Sequence, residues 1–199
     1  MLDDHKQFFD FLSKFVPITE EEFDHYLKSK IQIRRFNKKE LFLKPGQVEQ
    51  YFNFINKGLV RKFYRKGKEE INTQISFEGH LILSEESFYS RKPSEYYIEA
   101  IEPTTAVSIT FNDLEYIYSQ SQKMEHLGRL VIINSFLLKD KWQVQHIKMT
   151  PRERFLNFVK KNPELIQRVP QKYLASFLNI KPETFSRFKH LIRNSNSTA

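Results

Sequence analysis

Between Ile31 and Phe111 the sequence breaks into short runs of β-branched and aromatic residues, each closed by turn formers at a spacing of about ten residues. The runs are Ile31–Phe36, Glu40–Leu43, Phe52–Ile55, Leu59–Arg65, Glu70–Ser76, Tyr96–Ile101 and Ala106–Thr110. Between them stand Asn37-Lys38-Lys39, Pro45-Gly46, Asn56-Lys57-Gly58, Arg65-Lys66-Gly67-Lys68, Glu78-Gly79 and Glu102-Pro103. Strands spaced this closely, with Gly or Asn at the corners, leave no room for the crossover helices of a parallel sheet, so the pattern predicts a closed, jelly-roll-like antiparallel sandwich or barrel.

Helical spacing flanks this region. Phe8 to Phe15 places its apolar residues on one helix face and stops at Pro17, and Thr19-Glu20-Glu21-Glu22 is a capping box opening a second helix to about Lys30. After the strands, Asn112-Asp113-Leu114-Glu115 reads as an Asn-capped start. Residues 122–147 hold no Pro and only Gly128, which allows a helix about 39 Å long. Two seams run along it, Leu127, Val131, Asn134, Leu138 or Leu127, Leu130, Asn134, Leu137, and both carry Asn134 where a polar residue fixes pairing register. The apolar stripe is wide enough to serve both the chain's own core and a second copy, so a homodimer is expected. Thr150-Pro151-Arg152-Glu153 then caps a new helix, and the chain divides into residues 1–121, the long helix 122–147 and residues 148–199. The fold class expected is α+β.

Charge separates the parts. Residues 148–199 hold 11 Lys and Arg against 3 Glu, which is the whole net charge of +8; the remaining 147 residues hold 21 basic and 21 acidic side chains. A neutral unit joined to a basic one suggests a polyanion-binding module. The chain has no cysteine, which excludes disulfides, thiolate metal sites and iron–sulfur clusters. Its longest apolar stretch, Leu127 to Leu138, is interrupted by Arg129 and Asn134, and its first residues lack a secretory pattern, so a cytoplasmic protein without membrane contact is expected.

Short helices fill the basic part: Pro151–Lys161, Pro170–Leu178 and Pro182–Arg193. Only Asn179-Ile180-Lys181 separates the last two, and Leu174, Leu178, Ile180, Phe185, Phe188 and Ile192 make one small core if the helices cross steeply, a helix-turn-helix. Asn179 suits the positive φ of the turn, Ala175 leaves room for the second helix, and Pro182 sets that helix's first turn.

The segment Pro170 to Lys189, with Glu183-Thr184-Phe185-Ser186-Arg187 opening its last helix, resembles the helix-turn-helix of the Crp/Fnr transcription regulators. The order of parts is similar too: a β-roll, a long helix, then a helical unit. The resemblance implies a dimer whose recognition helices enter successive major grooves of palindromic double-stranded DNA. Glu183, Ser186 and Arg187 would face base edges, a carboxylate accepting from cytosine and a guanidinium forking onto guanine. Lys172, Lys181, Thr184, Lys189, His190 and Arg193 would meet phosphates. RNA polymerase is a further candidate partner.

Two departures stand out. Only Asn194-Ser195-Asn196-Ser197-Thr198-Ala199 follow Arg193, a polar tail expected to be disordered, where longer members continue into a β-hairpin wing. Members that bind cyclic AMP carry a Gly-Glu pair and then Arg-Ser-Ala in the roll; counting back from Ala100, this chain has Leu83-Ser84 and Ser94-Glu95-Tyr96 there. A buried Glu95 would repel a phosphate, so cyclic AMP is not expected, although Arg91 or Lys92 could attract another anion. His80 and His126 are isolated, no cofactor is expected, and an aromatic pocket of Phe77, Phe88, Tyr89, Tyr96 and Tyr97 beside Arg91 is the candidate site for an unknown effector. With no Gly-rich phosphate loop, Gly-x-Ser-x-Gly or His-Glu-x-x-His, nothing points to an enzyme. The alternative is a dimeric small-molecule sensor whose helical unit binds a protein.

Overall fold

A computed structural model describes residues 3–195, with the side chains of residues 4–189. Eight strands form two four-stranded antiparallel sheets. The first holds β1 (Ile31–Phe36), β8 (Thr104–Thr110), β3 (Tyr51–Lys57) and β6 (Leu81–Ile82) in that spatial order; the second holds β2 (Leu41–Leu43), β7 (Tyr97–Ala100), β4 (Val60–Lys66) and β5 (Glu69–Ser76). Seven of these are the expected runs, shifted by a residue or two. β6 is two residues long and carries no readable pattern.

The facing sheet interiors are filled by Phe42, Ile55, Val60, Ile82, Ile98 and Ala106, all buried. At the corner between β3 and β4, Gly58 has φ +105° and donates its amide to Glu78 Oε1 at 2.8 Å. A Cβ there would lie 2.5 Å from Thr104 Oγ1 and 2.7 Å from the Pro103 carbonyl oxygen.

Helices α1 (Asp3–Leu12) and α2 (Glu20–Tyr26) lay a layer of phenylalanine on the first sheet, with Phe8 and Phe11 5.2 and 5.0 Å from Phe54. The Thr19–Glu22 capping box forms as expected. α1 ends three residues before Phe15, because the chain tightens into turns with Phe15 N bonded to the Leu12 carbonyl. α2 ends at Tyr26, and Lys28–Lys30 is a 3-10 turn leading into β1. A six-residue helix, α3 (Glu85–Ser90), joins β6 to β7. The expected Asn112 cap is corrected. Thr110, at the end of β8, caps α4 (Phe111–Gln120) by accepting from the Asp113 amide, since the strand delivers its hydroxyl to the helix start.

The long helix α5 spans Gln122–Lys148. Its first half lies on the roll through Met124, Leu127 and Val131, all buried. This removes Leu127 and Val131 from any free seam. Leu130 and Asn134 are half-buried and Leu137 and Leu138 exposed, alongside Phe136 at 68% and Ile147 at 77% exposure. Four further helices follow: α6 (Pro151–Lys161), α7 (Leu165–Arg168), α8 (Gln171–Phe177) and α9 (Pro182–Ser195). α9 includes Asn194 and Ser195, which were expected in the tail; residues 196–199, and with them the question of a wing, lie outside the described residues. Among the described residues no helix is long and apolar enough to cross a membrane.

Replacing Gly58 by Ala should cost roughly 2–4 kcal/mol, from an L-residue at positive φ plus a contact with rigid backbone, and lower Tm by roughly 5–15 °C. Thermal unfolding followed by circular dichroism checks this; an unchanged Tm would mean the corner is not held as described.

Candidate nucleic-acid interface

The C-terminal helices are built around Phe155, Leu165, Leu174, Leu178, Ile180 and Phe185, all buried. Thr150 and Glu153 form the expected capping box at the start of α6, with Pro151 in its first turn. α8 and α9 are joined by a tight turn in which Asn179 takes φ +51°. The Asn179 amide donates to the Ser176 carbonyl, and the Ile180 amide to the carbonyl of Ala175 at 2.9 Å. Phe185 points inward onto Phe155 at 5.1 Å, and Phe188 packs half-buried beside it. The side chain of Ile192, also expected in this core, lies outside the described residues.

With Phe185 fixed inward, the other side of the first turns of α9 faces solvent. Glu183, Ser186 and Arg187 are all exposed, and their spacing of three and four residues puts them on one helix face. Lys172 at the start of α8 and Lys181 before α9 are exposed as well, while Thr184 and Lys189 are half-buried. The side chains of His190 and Arg193 lie outside the described residues.

A residue that sequence reasoning missed organises this surface. Arg154, on α6, donates to four backbone carbonyls: His146 and Met149 at the end of α5, and Leu178 and Asn179 in the turn. It therefore fixes the turn against the long helix. Burial and the charge of Arg154 both lower the pKa of His146, favouring its neutral form. Trp142 stacks on His146 and on Phe177 at 4.5 and 5.0 Å, adding α8 to the same junction.

The unit is also docked on the roll. Arg61 of β4, only 2% exposed, lies with its guanidinium 3.8 Å from the ring of Phe63 on one strand and 3.8 Å from the ring of Tyr173 on α8. Its charge meets Glu70 at 2.7 Å and Glu99 at 2.9 Å. Ser176 accepts the Asn72 amide and donates to the Glu70 carbonyl, continuing the edge of β5 onto α8. Arg168 completes the contact with ion pairs to Glu78 and Glu102 at 2.8 and 2.6 Å. Burial pushes the Glu78 carboxyl up, but hydrogen bonds from Arg168 and the Gly58 amide outweigh it and hold the group below the ordinary carboxylate value.

Of the six candidate effector residues, Phe88, Tyr89 and Arg91 lie together, whereas Phe77, Tyr96 and Tyr97 pack on other rings. Phe77 packs against the C-terminal core and lies tilted against His80, ring centroids 4.0 Å apart. Phe88 is buried against Phe52 and Phe111, with Tyr89 at its edge. Arg91 spends its guanidinium on the Glu49 and Phe88 carbonyls and on Gln50. Tyr97 stacks on Phe63 and Tyr96 stands edge-on to Tyr64. Glu95, expected to be buried, is exposed, because the chain turns outward after Ser94. Ser94 instead is buried and donates to the Ser84 hydroxyl at 2.9 Å, so two positions aligned with the cyclic-AMP cassette bond to each other. Among the described residues no cluster of three or more His, Asp or Glu is placed to hold a metal.

No family model and no curated protein sequence matches the chain. Solved structures do. The catabolite activator protein of Thermus thermophilus is 18% identical, with 94% of this chain and 88% of that one covered at a TM-score of 0.55. The c-di-GMP-responsive global regulator CLP of Xanthomonas campestris is 13% identical, with 89% and 93% covered at 0.66. FixK2 of Bradyrhizobium japonicum is 16% identical, with 83% and 86% covered at 0.65. The fold is the Crp/Fnr fold.

Two outcomes follow from the docking contact. Arg61→Met strands two carboxylates and should cost about 3–5 kcal/mol in chemical denaturation, against about 1 kcal/mol or less for Arg168→Ala at the more exposed pair. Because the folded pKa of Glu78 is lowered, its stabilisation is present above the ordinary value of 4.5 and is lost as pH falls. The stability gap between wild type and Glu78→Gln should thus be full at pH 7 and close on acidification; a gap that widens in acid has the wrong sign.

Proposed function

We propose that the chain is a dimeric, sequence-specific DNA-binding transcription regulator of the Crp/Fnr type, with an effector other than cyclic AMP if it has one. The observation that carries this is the outward face of α9: Glu183, Ser186 and Arg187 stand exposed together, opposite the buried Phe185, in the part of the chain that holds all the net positive charge. In this reading residues 1–121 are a sensor-like roll, 122–147 the dimerisation helix and 148–199 the DNA-binding unit. Glu183, Ser186 and Arg187 read base edges, and Lys172, Lys181, Thr184, Lys189, His190 and Arg193 bind the phosphate backbone. The proteins of the same fold include a catabolite activator and a regulator of virulence gene expression, which supports a regulatory role and, with it, contact with RNA polymerase.

Dimerisation rests on the stretch of α5 from Leu130 onward. Ile133, Phe136, Leu137, Val144 and Ile147 are exposed there, and Leu130, Leu137 and Val144 recur at the seven-residue spacing of a helix pair. Asn134 stands half-buried beside that line.

On a palindromic duplex selected from a random pool, Arg187→Ala should weaken cognate binding by about 1–3 kcal/mol and relax the base preference at one position, as read by fluorescence anisotropy. Lys172→Ala should weaken binding to all duplexes alike and reduce the salt slope by about one. Full affinity and specificity in Arg187→Ala would remove it as a reader. In sedimentation, wild type should run as a dimer and Leu137→Glu as a monomer; a monomeric wild type would remove the paired helix.

A further inference from the structure

The interior of the roll contains a charge that the proposed DNA contact does not use. Lys62, on β4, is buried, and its Nζ donates to the Leu83 carbonyl at 3.1 Å and to Glu85 Oε2 at 2.6 Å. The ring of Tyr96 lies 5.4 Å from the same ammonium. Glu85, in the first turn of α3, gives its other oxygen, Oε1, to the Nζ of Lys139 on the exposed half of α5. One carboxylate thus joins a cation inside the roll to a cation on the long helix. Burial pushes the Glu85 carboxyl up, but Lys62 and Lys139 outweigh it and keep the group ionised.

A buried ammonium without an anion costs several kcal/mol or gives up its proton, and burial lowers the Lys62 pKa even beside Glu85, so a negative group here is what holds the charge on Lys62. The chain supplies it from α3, covalently tethered, at an effective concentration in the millimolar range or above. A diffusible anion would have to displace it from both cations. We propose that Glu85 is a built-in anion that couples the roll to the long helix, so that the protein takes up its working arrangement, and binds DNA, without a small anionic ligand. The DNA part rests on the regulator reading above; the anion part does not.

The test uses the full-length protein freed of nucleotides, as wild type, Glu85→Ala and the isosteric Glu85→Gln. Wild type should bind its selected duplex with no ligand added and show no response to acetate. Glu85→Ala should lose roughly 5–15 °C in Tm and about tenfold or more in duplex affinity. About 100 mM sodium acetate should restore much of both, whereas sodium chloride at equal ionic strength should not. Glu85→Gln, which keeps the shape and loses the charge, should fall between the two and serves as the readout if the alanine variant does not fold. The idea is overturned if both variants match wild type, if acetate and chloride act alike, or if wild type binds duplex only with added cyclic AMP. If wild type binds no duplex at all, the regulator reading fails, while acetate rescue of Tm still decides the role of Glu85.

Discussion

The architecture turns on a guanidinium buried where two parts of the chain meet. An unpaired charge in that position would cost several kcal/mol, so Arg61 is tolerable only because two carboxylates and two aromatic faces surround it. Three of these four groups come from the roll: Phe63, Glu70 and Glu99. The fourth, Tyr173, belongs to α8. Undocking the C-terminal helices therefore exposes one face of a cation whose other contacts hold it in place. Docking is thereby linked to the same electrostatics that stabilise the second sheet. Ser176 extends that sheet's edge bonds onto α8, and Arg168 adds more exposed ion pairs at the rim.

Most of the roll was legible because seven of its strands are runs of β-branched and aromatic residues closed by turn residues with definite conformational needs. The C-terminal helices were legible for a similar reason: Thr150 with Glu153, Pro151, Asn179 and Pro182 are local signals whose chemistry is complete within a few residues. What could not be read is what depends on distant partners. α3 is only six residues, too short for a helical period to register, and Ser84 before it makes no side-chain cap, its hydroxyl accepting from distant Ser94 instead. Thr110 displaced Asn112 as a cap because β8 delivers it to the helix, a fact of sheet geometry rather than of local sequence.

The candidate site divides along the same line. The outward placement of Glu183, Ser186 and Arg187 follows from the helical period once Phe185 is inside. Arg154 gives no such signal, since four carbonyls converging on one guanidinium from two separate segments leave no trace in spacing. The aromatic effector set is split for the converse reason: residues close in sequence point to different sides of a sandwich, so Phe77, Phe88 and Tyr97 serve three separate packing environments.

The long helix explains why two seams could be drawn along one stretch. Its partners change along its length, so no single stripe describes it. Met124, Leu127 and Val131 face the roll; past Lys139, which reaches Glu85, Trp142 and His146 turn to α8 and Arg154. A helix that switches from one neighbour to another must rotate its buried face or carry apolar residues on both sides. This chain does the second. Phe136, Leu137, Val144 and Ile147 are left outward on the stretch whose other contacts reach the roll at one point and the C-terminal helices at the next. A second copy seated on that stripe would lie against the segment that ties those two parts together, so pairing and internal docking would share one rigid element.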